Sequence, residues 1–223
     1  MRYQTLNADR IKLIFIIVFV CSFTINISAQ KRKISAYIFH PHWYLGANLG
    51  LNTYVAEGWG AYSPLSSLGA SGSVTGGYSF LPTLSFQATG TYGLYTWPDI
   101  RFSNVDHTFG AQNITADLVL NLSNLIKGYY LVRPLDISLY GGAGFSYRQK
   151  AAFTSDLFTY LGHAGLQADW HLTQLWDLNI MAEVNVTSDN NNEYNADTPF
   201  DMYPALKVGL TYHFRDACSV CGK

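Results

Sequence analysis

The chain has 223 residues, enough for one all-β domain of ordinary size. Charged residues make up 13 % of it and aromatic residues 15 %, with a formal net charge of −1; soluble domains carry about twice that share of charge. No basic stripe runs among the aromatics, so the composition excludes a nucleic-acid-binding surface.

Residues 1–29 read as a secretory signal. Arg2, Arg10 and Lys12 form a basic start, Leu13 to Ile25 an apolar core, and Ile27-Ser28-Ala29 a cleavage site before Gln30. An uncleaved anchor helix is the rival, but the apolar run is short of the roughly 20 residues a span needs. Cys21 follows Val20 where a lipoprotein box needs a small residue. Removing residues 1–29, with Arg2, Arg10, Lys12 and Asp9, takes the net charge from −1 to −3. Residues 30–42 follow as an N-terminal arm. In it Lys31-Arg32-Lys33 is a solvated basic run, and His40-Pro41-His42 offers two imidazoles without further metal ligands. No later segment reaches about 18 consecutive apolar residues. A mature chain that crosses a membrane must then do so as a closed barrel, because lipid satisfies no open sheet edge.

From Trp43 to Phe214 the sequence alternates with period two, the signature of strands with one apolar and one polar face. Eight segments are predicted. Trp43–Val55 places Trp43, Leu45, Ala47, Leu49, Leu51 and Val55 on one face. Ser67–Tyr78 is the weakest pattern, with Leu68, Ala70, Val74 and Tyr78 apolar and Ser71, Ser73 and Thr75 polar. Thr83–Tyr95, Gly110–Ser123 and Leu135–Tyr147 follow, the second with Asp117 on its polar face. Phe158–Leu172 sets His163, Gln167, Asp169 and His171 opposite Tyr160, Leu166 and Trp170. Trp176–Thr187 sets Asp177, Asn179 and Glu183 opposite Leu178, Ile180 and Val184. Tyr203–Phe214 ends the set with Leu206, Val208, Leu210, Tyr212 and Phe214 on the apolar face and Lys207, Gly209, Thr211 and His213 on the other. Strands of about 11 to 14 residues, tilted near 40°, cover the roughly 25 Å apolar band of an outer-membrane barrel.

The connections alternate in kind. Ser79–Pro82 and Thr173–Leu175 are tight; Ala56–Ser66, Thr96–Phe109, Arg148–Leu157 and Ser188–Met202 are long and polar. Asn124–Pro134 is long for a turn on the tight side. This layout, with an even strand number, places both termini in the periplasm. A soluble eight-stranded barrel would alternate equally well, so alternation does not say which face is inside. The polar face is rich in Gly, Ser, Thr and Asn, which suit a narrow lumen. The apolar face carries Trp43, Tyr78, Trp170, Trp176, Tyr212 and Phe214 at strand ends, as interfacial girdles require. With the strand lengths, these features favour a monomeric, up-and-down, antiparallel transmembrane β-barrel over residues 43–214, with a periplasmic tail at 215–223 and outer-membrane lipid around it.

On these features, and on the terminal Leu210-Thr211-Tyr212-His213-Phe214, the chain resembles the family of small outer-membrane barrels typified by the OmpA transmembrane domain and OmpX. The resemblance covers residues from about 40 to 214. It implies that Leu210, Tyr212 and Phe214 act as the signal read by barrel-assembly machinery. Only nine residues follow Phe214, so the peptidoglycan-binding activity of OmpA is not implied.

Eight strands leave an interior filled by side chains, and buried charges there must pair. Glu183 and Lys207 each lie about seven residues above the same end of neighbouring strands, and Asp117 lies at a similar level across the barrel. They form an expected lumen ion pair, structural or gating. The lipid A deacylases are enzymes of this size, but their His-x-Ser is absent: His163-Ala164-Gly165 lacks the hydroxyl, and His171-Leu172-Thr173 places one at a turn. Cys218-Ser219-Val220-Cys221 has no second ligand pair for zinc and no surrounding βαβ pattern for redox chemistry. Asp189-Asn190-Asn191-Asn192-Glu193 lacks the spacing of a calcium loop. Tyr95, Trp97, Phe102 and Phe109 suggest a contact surface at the second long loop. The expectation is a non-enzymatic envelope or surface-contact protein with no cofactor and no metal. A small gated pore, a lipid A-modifying enzyme and an accessory subunit of a secretion system are the alternatives.

Overall fold

The computed structural model describes residues 39–55, 67–99, 105–129, 133–149, 157–188 and 200–214. The predicted signal at 1–29, most of the arm, the tail with Cys218 and Cys221, Phe102 and the Asp189–Glu193 run lie outside them. Eight strands form one closed barrel in chain order: β1 (His42–Thr53), β2 (Leu68–Leu81), β3 (Leu84–Asp99), β4 (Val105–Asn121), β5 (Leu135–Arg148), β6 (Leu157–His171), β7 (Trp176–Ser188) and β8 (Phe200–His213). Every neighbouring pair is antiparallel, and β8 closes on β1 from Tyr44↔His213 to Asn52↔Ala205. The all-β, up-and-down, eight-stranded antiparallel fold expected from the alternation is the fold observed.

Burial settles which face is inside. Leu49 is 71 % exposed and Ile114 67 %, whereas Asp117 and Lys207 are 1 % exposed. The outer surface is a continuous band of Leu, Ile, Val and Phe, and the inner one is built from Asn, Ser, Thr, Gln and charged groups. This inverts a water-soluble barrel and is the arrangement lipid demands. Aromatic rings gather at both ends of the band. Trp43 packs on Tyr78 and Trp176 on Tyr212 near the short turns, while Phe145 stacks on Phe158 toward the other end.

Three local departures from the simple alternation matter. The β3–β4 hairpin runs on to Asp99↔Val105, through residues expected in a loop; each extended residue has a ladder partner, which outweighs the local Pro98 and Asp99. Between β4 and β5 the strand expected to reach Ser123 ends at Asn121, and a short helix, α1 (Leu122–Lys127), begins. Asn121 caps it by accepting a hydrogen bond from the Asn124 amide at 2.7 Å. Gly128, with φ of 82°, ends it in a conformation other residues rarely adopt. Finally, Val55 does not continue the outer face. β1 stops at Thr53, Tyr54 and Val55 are both buried, and Val55 bridges to Met202.

Candidate functional site

Lumen side chains form three levels. At the long-loop end Tyr54, Tyr95, Phe109 and Tyr203 make a buried aromatic layer, with Tyr95 stacked on Phe109 at 5.6 Å between centroids and edge-on to Tyr203 at 4.9 Å. Tyr95 and Phe109, expected in a surface-contact patch, therefore fill the lumen. They have inward parity on β3 and β4, and the hairpin stays paired well beyond them, so they remain inside the barrel wall.

The middle level is a charged network. Lys207 Nζ lies 2.7 Å from Glu183 Oε1. The two residues sit on adjacent strands two positions out of register, since Glu183 faces Ala205 and Met181 faces Lys207; such diagonal neighbours are within reach of long side chains. His163 joins Glu183 to the third predicted residue, Asp117. Its Nδ1 is 2.9 Å from Asp117 Oδ1 and its Nε2 is 3.5 Å from Glu183 Oε2. When His163 carries a proton on each ring nitrogen, it offers a donor toward each carboxylate. Tyr140 donates to Glu183 at 3.2 Å, Thr115 and Gln87 donate to Asp117 at 3.2 and 3.4 Å, and Lys207 donates to Thr91 at 3.3 Å. Tyr140 reaches Glu183 because Gly165, the register partner of Glu183, leaves room for it; a Cβ there would collide with the Tyr140 hydroxyl.

At the short-turn end lies a cavity of about 490 Å³, lined by side chains from the strand ends and turns. A chain of hydrogen bonds runs along its wall. The His40 carbonyl accepts from His42 Nδ1 at 2.8 Å, His42 Nε2 meets His213 Nδ1 at 3.1 Å, and His213 Nε2 meets Asp177 Oδ2 at 2.7 Å. His171 then bridges Asp177, at 2.7 Å, and Asp136, at 3.3 Å, and Arg133 meets Asp136 at 2.7 Å. The chain crosses the β1–β8 seam and ties those strands to β7, β6 and β5.

His163 was legible as a lumen residue, but its bridging role needs the β4-to-β6 distance across the barrel. Tyr140 was not singled out, although its inward parity on β5 is visible. The His171–Asp177 contact could have been anticipated, because the tight Thr173–Leu175 turn sets them opposite one another. His42, weighed in sequence only together with His40, meets His213 because the barrel closes. Among the described residues no group of His, Cys, Asp and Glu gathers closely enough to hold a metal ion. The aromatic end of β8 lies on the outer surface: Leu210 and Phe214 are exposed, Tyr212 packs edge-on against Phe214, and the Phe214 amide donates to the Trp43 carbonyl.

No family model and no curated protein matches the sequence. Among solved structures, a major outer membrane protein from Thermus thermophilus aligns with a TM-score of 0.48 at 12 % identity, covering 79 % of this chain and 100 % of that one. The outer membrane enzyme PagL aligns with a TM-score of 0.47 at 9 % identity, over 74 % of this chain and 97 % of that one. Neisserial surface protein A (NspA) aligns with a TM-score of 0.54 at 16 % identity, covering 79 % of this chain and all of that one. What this chain shares with NspA is the fold, a closed eight-stranded antiparallel barrel.

Proposed function

We propose that this protein is a non-enzymatic integral outer-membrane barrel, with both termini in the periplasm, that contributes to envelope integrity or surface contact through its long connections. The observation that carries this reading is the inverted burial, with an apolar outer band and a filled polar lumen. The even strand number, and the position of Phe39 and Phe214, the first and last described residues, at the same end as the short turns, support the orientation. The imidazoles support the absence of hydrolytic chemistry. Both nitrogens of His163 and of His171 face carboxylates, and those of His42 and His213 face each other, the His40 carbonyl and Asp177, so none of these four is directed at a hydroxyl nucleophile. Leu210, Tyr212 and Phe214 would serve the assembly machinery as its recognition signal.

The test is fractionation followed by electrophoresis with and without boiling. A heat-modifiable band in the outer-membrane fraction is expected, together with cross-links to surface partners from cysteines placed at 56–66 and 189–199. Recovery in the soluble fraction overturns the membrane reading, and altered lipid A on overexpression overturns the non-enzymatic one. A gated pore is the second reading, favoured by the Glu183–Lys207 pair and Asp117 in the middle of the lumen. Accessory service to a secretion system would appear as co-purification with its components.

A further inference from the structure

The cavity at the short-turn end holds a carboxylate, Asp169, that forms no ion pair among the described residues. Asp136 and Asp169 are register partners on β5 and β6, and both line the cavity. Like charges directly opposite one another destabilise a sheet. Asp136 is answered by Arg133 and His171. Asp169 accepts a 2.6 Å hydrogen bond from the neutral Gln167 amide, its other register partner is the neutral Asn179, and among the described residues no cation forms an ion pair with it. A carboxylate that takes up a guest cation offers about four acceptor positions, and the bond from Gln167 occupies one of those on Asp169. The space beside it, about 490 Å³, falls within the roughly 300–1,000 Å³ of small-molecule sites.

We propose that this cavity binds a small organic cation, an amine or guanidinium about the size of a short aliphatic diamine, with its charged head on Asp169. Tyr44 and Tyr129 also line the space and supply π surface that favours a cation over a neutral guest. An anion is disfavoured because Arg133, the cavity's arginine, is engaged by Asn124, Asp136 and the Gly128 carbonyl. A metal ion is disfavoured because the carboxylates and imidazoles do not gather into a ligand set among the described residues. Pro82 and Gln174, at the turns, are among the residues that line the cavity. This assignment stands whether or not the long loops act in surface contact.

The test is calorimetric titration of the full mature chain, folded in detergent micelles, with 1,4-diaminobutane and with the uncharged 1,4-butanediol. The diamine is expected to bind saturably and at least tenfold more tightly than the diol, and Asp169→Asn to weaken it at least tenfold. Because Asp169→Asn also relieves the repulsion with Asp136, the empty variant is expected to fold and to melt no lower than the parent. Carbodiimide labelling of Asp169 in the unmodified sequence gives a readout that needs no variant, and the diamine is expected to protect the carboxylate. Equal affinity for diamine and diol, unchanged affinity in Asp169→Asn, absent protection, or binding of magnesium or calcium ions in place of the diamine overturns the proposal.

Discussion

Lys207 and Glu183 show what a lumen charge costs and what it secures. Both are almost wholly buried and 2.7 Å apart. Removing one partner from a buried pair costs about 3–5 kcal/mol, because the other charge is left uncompensated. Lys207→Ala is therefore expected to lower sharply the temperature at which the folded band converts to the unfolded one. Lys207→Met combined with Glu183→Leu is expected to recover part of that loss, so the double variant falls well short of the sum of the single ones. A strictly additive result would show that the pair is not coupled. Period two put Glu183, Lys207 and Asp117 on the lumen face, and counting from the tight turn put the first two at one height. His163 was legible as inward but not as the bridge, because the distance from β6 to β4 belongs to the barrel's curvature and not to any local pattern.

At the scale of the element, β8 carries two separable roles. Its inner face supplies Lys207 and His213 to the lumen, and its outer face ends in the exposed Leu210 and Phe214. Phe214→Ala removes outer aromatic surface without touching the charged network. It is expected to reduce several-fold the amount of barrel assembled in cells, while the same variant refolded in detergent melts within a few degrees of the parent. Equal loss in both measurements would assign Phe214 a structural role instead. The elements whose alternation was strong, such as β6 and β7, lie within a residue or two of where the pattern placed them. The β3–β4 hairpin departs further, because its ladder continues to Asp99↔Val105, while the Met202 bridge at Val55 and the Asn121 cap of α1 shorten β1 and β4 by two residues each.

At the scale of the whole molecule, the lumen is crossed by an aromatic layer and by a charged network, and an eight-stranded barrel has no width to spare around them. Protein in planar bilayers is accordingly expected to show no steady conductance, and a persistent ohmic current would favour the pore over the closed barrel. Openings produced by Glu183→Ala or Lys207→Ala alone would identify the pair as a gate. The sequence by itself determined the class of element, the number of strands, their antiparallel order and which residues share a face, because a period of two and the length of each connection are local properties. Only the tertiary structure decided how inward residues combine. Closure set His42 against His213, curvature brought His163 between Asp117 and Glu183, and register placed Asp136 beside Asp169. Those contacts depend on strand stagger around a closed sheet, a long-range quantity that no segment of the chain encodes alone.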